Sequence, residues 1–373
     1  MKFAARHGRV LRATLSLALG AVLLASCARF DDSAAKPFSA EPTGGGNKSN
    51  SPSPTPPPRT KPPGPCTDPD PSVVATCLDT TGGLAVLPNS ESALVAERRT
   101  GRIMRVAPEQ EPVEVTRVPV DASGDGGLLD IALSPRYPED GLLFAYITTP
   151  TDNRVVRIAG NDPPKDILTG IPKGPNGNGG AIQFATPDQL LVLTGNAGNP
   201  AAAGNPGSLA GKLLRVNSPQ PGAAAPPSIA LSGIGAAGDV CRGGDGTIWV
   251  TDRTPTQDRL QKIAPDGAVV SPAWTWPDRP GVAGCASDGV TVTISLTTAK
   301  AIAVATIDEK TKTITAAPTL SLQDRYGQLA GAAIAPDGLV WLATVNKTSG
   351  KPVPTDDRVV RIRPGGGGGG GPD

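Results

Sequence analysis

A phrase that recurs along the chain restricts its fold more than any other feature. It runs small residues, an apolar strand, a Pro-Asp-Gly type turn, a second apolar strand, and a third strand ending apolar-Arg/Lys-apolar. The copies occupy residues 82–106, 127–158, 179–216, 237–263, 282–307 and 329–362. Short runs of Val, Ile, Leu and Ala punctuated by Gly, Pro and Asp, without a convincing amphipathic helix, are an all-β signature. Six copies of roughly fifty residues predict a six-bladed β-propeller, each copy one twisted antiparallel sheet stacked on its neighbours. A large β-sandwich is the alternative. In a propeller, small inner-strand residues let the sheets converge on an axis, and function sits on loops around one mouth of the central channel. Trp249 and Trp341 hold the same strand position in two copies, which points to core packing rather than ligand stacking.

The ends of the chain differ from this body. Lys2, Arg6, Arg9 and Arg12 precede an apolar run from Ala13 to Leu24, the pattern of a secretory signal peptide. The run is too short to span a bilayer comfortably. It ends Leu24-Ala25-Ser26-Cys27, which resembles a bacterial lipoprotein signal. The expectation is that residues 1–26 are removed and Cys27 is acylated, anchoring the protein to the extracytoplasmic face of the cell membrane. Residues 27–65, rich in Ser, Pro, Gly, Lys and Asn, read as a disordered tether, residues 66–364 as the propeller, and residues 365–373 as a disordered Gly-rich tail. Loss of residues 1–26 removes four basic groups and no acidic ones, so the formal charge of +1 becomes about −3. No basic run remains to follow a phosphate backbone, and nucleic acid is not an expected partner.

Four cysteines follow Cys27: Cys66, Cys77, Cys241 and Cys285. An even number in an exported protein suggests two disulfides with three possible connectivities. Cys66 with Cys77 and Cys241 with Cys285 is the economical pairing; four small buried thiols are the alternative.

Residues 173–216 read as two short strands, Ala181 to Phe184 and Leu190 to Thr194, a loop of some sixteen residues, and a strand ending at Val216. A loop that long in a compact domain is usually functional or mobile. Asn176, Asn178, Asn196 and Asn199, with Asp125, are the candidate ligand-loop residues, their amides suited to a sugar or a peptide. Turn formation beside glycine is the plainer role for the same amides. Gly211-Lys212 is no phosphate loop, because Pro206 stands for its first glycine, Leu213 for its Ser/Thr, and no helix follows.

Three runs carry a family resemblance: Glu97-Arg98-Arg99-Thr100-Gly101-Arg102-Ile103, Gly124-Asp125-Gly126-Gly127-Leu128-Leu129-Asp130-Ile131-Ala132, and Ser208-Leu209-Ala210-Gly211-Lys212-Leu213-Leu214-Arg215. With residues 246–252 they resemble the glucose/sorbosone dehydrogenase family over most of residues 80–364. The resemblance implies a six-bladed propeller that uses pyrroloquinoline quinone (PQQ) and calcium to oxidise a sugar hydroxyl. It further implies a histidine to take the hydroxyl proton, an aspartate to orient that histidine, and an arginine to stabilise charge on the cofactor. At the matching positions this chain has Gly177, Asn196 and Gly235.

The only histidine of the sequence is His7, inside the segment expected to be removed. The mature chain would then lack imidazole, the side chain best suited to proton transfer near neutrality. Ser-His-Asp and Cys-His nucleophile systems and His-bearing zinc sites are excluded with it. Calcium held by loop carboxylates and carbonyls stays open. A substitute base would have to be a carboxylate raised by burial, with Asp121, Asp125 and Asp130 nearest the cofactor-side loop. The leading expectation is a dehydrogenase-like propeller that has lost catalysis, takes no cofactor, and binds a small molecule or an envelope protein at its mouth. The alternative is a PQQ-dependent aldose dehydrogenase with calcium and a non-histidine base.

Overall fold

Each repeat folds into one four-stranded antiparallel sheet, and six such sheets are present among the described residues of the computed structural model, 64–223, 225–349 and 352–363. The signal-peptide segment, Cys27, the tether through residue 63 and the glycine tail lie outside them. The six inner strands are Thr81–Val86, Leu128–Leu133, Gly180–Thr186, Ala237–Arg242, Val282–Ser287 and Leu329–Ile334. Each contacts the inner strand of the next blade, and the sixth contacts the first, so the blades close into a ring. The protein is a six-bladed β-propeller.

The repeat phrase covers three strands of each blade. The outermost strand is the one it misses, as in Val113–Arg117, Ser228–Ser232 and Thr319–Ser321, where most residues are exposed or half-buried. An edge strand with one covered face at most has little apolar periodicity to read. The sixth blade takes its outer strand from the other end of the domain: Val73–Ala75 pairs antiparallel with Val359–Ile362. The segment between Cys66 and Cys77 therefore closes the ring.

Both expected disulfides are present. Cys66–Cys77 encloses the closing strand, with Cα atoms 5.6 Å apart, and Cys241–Cys285 joins the inner strands of the fourth and fifth blades, with Cα atoms 5.7 Å apart. On loop-closure grounds each contributes about 3–4 kcal/mol.

The core is distributed between blades. Leu94, Ile103 and Val118 of the first blade pack on Leu128, Ile131 and Leu143 of the second, and comparable clusters fill the other interfaces. Trp249 and Trp341 are fully buried, as their shared position implied. Trp249 stands opposite Lys262 on the neighbouring strand and Trp341 opposite Arg361, with the cations 5.9 and 5.6 Å from the ring centroids. In these two copies the basic residue of the third strand covers the tryptophan of the second. Close approach at the axis depends on small residues: a Cβ added at Gly284 would lie 2.3 Å from the carbonyl oxygen of Ala330 on the next blade. The inner strands enclose a channel of about 870 Å³.

Candidate functional site

The loops that precede the inner strands and follow the second strands meet at one mouth of the channel. The run Glu97-Arg98-Arg99-Thr100-Gly101-Arg102 shows how one motif is divided between structure and surface. Glu97 is fully buried and accepts hydrogen bonds from Arg102 (2.6 and 2.8 Å), the Thr100 hydroxyl (2.7 Å) and the Asp79 amide (3.0 Å). Arg99 pairs with Asp79 at 2.8 Å. Arg98 alone turns toward the channel, where it donates to the Gly126 carbonyl at 2.6 Å. Burial lowers its guanidinium below the ordinary value.

The second and third blades meet through Asp125. Its carboxylate accepts from the Gly177 amide (2.7 Å), the Asn178 amide (3.2 Å) and Asn178 Nδ2 (2.7 Å). Asn178 is fully buried, and its Oδ1 accepts from the Gly174 amide and from Asn153 Nδ2. Asn196 Oδ1 accepts from the Gly198 amide, and Asn199 caps the helical turn Pro200–Gly204 through the Ala201 amide. Three of the four candidate amides, and Asp125 with them, thus hold the loops together. Asn176 is exposed.

The long loop after Thr194 is a folded element pinned by Lys212. That side chain is fully buried, and its ammonium donates to the carbonyls of Ala202 (3.0 Å), Ala203 (2.7 Å) and Ala210 (2.9 Å). Two of these carbonyls belong to the end of the helical turn, where a cation is favoured.

Gly177, Asn196 and Gly235, distant in sequence, are brought together. The Asn196 amide donates to the Gly235 carbonyl (2.9 Å), and the Ala197 amide to the Gly177 carbonyl (2.8 Å). Gly177 has φ +73°, and a Cβ there would sit 2.6 Å from the Gly198 nitrogen and 2.7 Å from Asn196 Oδ1. A Cβ at Gly235 would lie 1.8 Å from the Arg253 carbonyl oxygen. The backbone itself fills the space that side chains at these two positions would need.

The three carboxylates named as substitute bases differ sharply. Asp121 forms an ion pair with Lys173, and hydrogen bonds from Lys173 and Ser123 hold its pKa well below the usual range. Asp125 is engaged as described. Asp130 lies on the channel wall, accepts from the Ile182 amide (2.7 Å), and is raised well above the ordinary value by burial and by Asp239. Asp239, which sequence reasoning missed, accepts from the Cys285 amide (2.8 Å) and is pushed up to about 7 by burial. Its signal was legible: an acid at the third position of an inner strand, as in Asp130.

Arg253 ends the second strand of the fourth blade and lines the same mouth. Neighbouring Asp252 is buried, accepts from the Gly235 amide (2.6 Å), and forms an ion pair with Arg259. Among the described residues, no group of three or more His, Cys, Asp or Glu is placed to hold a metal ion.

Residues 78–236 match the Glucose / Sorbosone dehydrogenase family. Among solved structures, the PQQ-bound form of an aldose sugar dehydrogenase from Streptomyces coelicolor is 29% identical, covers 78% of this chain and 96% of that one, and superposes with a TM-score of 0.70. An oxidoreductase (glucose dehydrogenase) from Thermus thermophilus is 25% identical, with 78% and 98% covered and a TM-score of 0.68. The apo-form soluble aldose sugar dehydrogenase from Escherichia coli, 18% identical, with 78% and 98% covered and a TM-score of 0.61, shares the fold. No curated protein matches the chain. The six closed sheets, the match over residues 78–236 and these likenesses make this a glucose/sorbosone dehydrogenase-like six-bladed propeller, related to the PQQ-dependent sugar dehydrogenases.

Proposed function

We propose that the chain is a dehydrogenase-derived propeller that has lost sugar oxidation and serves as an extracytoplasmic binding module, tethered to the membrane through a lipid on Cys27. The observation that carries this reading is the closed backbone at Gly177 and Gly235, where an added Cβ meets main-chain atoms at 2.6 and 1.8 Å. Restoring a histidine or an arginine there requires moving neighbouring loops, so the loss is built into the local backbone.

PQQ and calcium are the groups that the family implies, and the residues here do not fit their chemistry. Oxidation of a hydroxyl needs a base at the reacting proton. Gly177 has no side chain, Asn196 is an uncharged amide already bonded to Gly198, and the channel carboxylates Asp130 and Asp239 accept backbone amides of the next blades.

The second reading, a PQQ-dependent aldose dehydrogenase with a non-histidine base, is favoured by one observation: Asp239, pushed up to about 7, has the affinity a general base needs. A thermal titration separates the two, because a ligand that binds only the folded state raises its melting temperature. The expected result is the same melting temperature with calcium alone and with calcium plus PQQ. A rise of several degrees confined to the quinone arm favours the second reading. For the anchor, Cys27→Ala is expected to move the protein from the membrane fraction to the soluble fraction; retention in the membrane overturns that part.

A further inference from the structure

Nearly every buried charge in this propeller has a partner. Glu97 holds Arg102, Asp252 holds Arg259, Asp258 accepts the Gly281 and Val282 amides (2.6 and 3.0 Å), and Lys212 holds three carbonyls. Arg253 differs. Its side chain makes no hydrogen bond or ion pair with the described residues, although it is half-buried and burial lowers its pKa below the ordinary value. Asp125, Asp252 and Asp258 lie within electrostatic reach, but each carboxylate is already taken by backbone amides or by Arg259. A desolvated guanidinium without an acceptor costs free energy unless something binds it.

Its surroundings describe the missing acceptor. Arg98, on the first blade, faces the same mouth from across the ring with only backbone carbonyls as partners. Arg279, exposed on the rim, adds charge of the same sign. Thr298 lines the adjoining wall and presents its hydroxyl, while Thr297 beside it donates to the Gly281 carbonyl (3.1 Å) and Gln328 is paired with Ser349 (2.7 and 3.1 Å). Anionic groups pair best with guanidinium, and hydroxyls pair with hydroxyl and amide side chains.

We propose that the mouth binds a small hydroxylated carboxylate, of the sugar-acid class, with its carboxylate on Arg253 and a hydroxyl group toward Thr298. This rests on the binding-module reading and supplies its ligand class. Arg98 contributes a second, weaker positive contact from the opposite blade.

The test is calorimetric titration of the full-length chain with D-glucuronate and, separately, with neutral D-glucose at low ionic strength. Glucuronate is expected to bind and glucose not to. Arg253→Gln is expected to weaken glucuronate binding by about tenfold or more, and Arg98→Gln by less. Arg253→Lys keeps the charge without the fork and is expected to fall between wild type and Arg253→Gln. Binding by the wild type is expected to weaken as salt rises, a readout that needs no variant to fold. Absence of glucuronate binding, equal binding of glucose, or glucuronate affinity unchanged in Arg253→Gln overturns the proposal. Sugar oxidation by the protein would overturn the binding-module reading and leave these titrations standing, so the two failures are distinguishable.

Discussion

Two desolvated cations, Lys212 under the third-blade loop and Arg253 at the channel mouth, have opposite fates. Lys212 directs its ammonium at three carbonyls of its own loop, while Arg253 directs its guanidinium at none among the described residues. The loop around Lys212 was the place where sequence length suggested a site, yet its polar groups are turned inward. Its asparagines cap and brace, its lysine adds an ammonium to the carbonyls at the end of the helical turn, and its backbone closes over Gly177. The fourth-blade corner is short and looked ordinary, and it is there that a desolvated charge is left for something else to meet. A polar residue in a long loop marks a site only when its hydrogen-bonding capacity is unused.

The sharpest way to break this contrast is Lys212→Met, which leaves the Ala210 carbonyl without its donor and the Ala202 and Ala203 carbonyls with only the Asn205 and Gly233 amides. The expected loss is about 3 kcal/mol in urea denaturation; a loss below about 1 kcal/mol would mean that the loop is not organised by that ammonium. Asp125→Ala strips the acceptor from Gly177 and from both donors of Asn178. About 2 kcal/mol should be lost, with faster amide exchange across residues 174–178.

The channel pair adds a pH dependence. A free aspartate titrates near ~3.9, and Asp239 is pushed up to about 7 in the folded protein. The folded state therefore holds the proton more tightly, and the stability this contributes is complete below the unfolded value and is lost as pH rises through about 7. Asp239→Asn should remove the share of that loss due to Asp239, so wild type is expected to fall by about 2–3 kcal/mol relative to the variant between pH 5 and pH 8. Parallel curves for the two proteins would mean that the folded state does not hold a proton on Asp239. The smallest effect belongs to Arg253→Gln, expected within about 0.5 kcal/mol of wild type because no protein contact is lost. A large destabilisation would mean that Arg253 has a structural partner after all.

The architecture was legible because it repeats. Six copies of one strand pattern, with Trp249 and Trp341 in register, specify blades and their packing, and cysteine spacing gave both disulfides. The outer strands were not legible, since in an edge strand such as Val113–Arg117 the alternating valines face solvent and the buried residue is Thr116, so the apolar pattern does not mark the covered face. Closure by Val73–Ala75 was hidden because three residues hold no pattern and their partner is at the far end of the domain. At the site, the triad positions Gly177, Asn196 and Gly235 could be named from sequence, and the structure brings them together through backbone hydrogen bonds. That backbone crowds Gly177 and Gly235 depends on φ and loop approach, which no single position encodes. Asp239 shares its inner-strand position with Asp130, a repeat that the sequence displayed and that went unread, whereas Arg253 looks like an ordinary strand polar residue until its neighbours in other blades are known.

The central claim is that this mouth binds and does not oxidise. Its most direct test is dye-linked oxidation by the purified full-length protein, supplied with PQQ and calcium and offered glucose and other aldoses between pH 6 and pH 9. The Streptomyces coelicolor aldose sugar dehydrogenase serves as the positive control. Dye reduction indistinguishable from the protein-free blank is the expected result. Reduction that needs protein, quinone and sugar together would contradict the account.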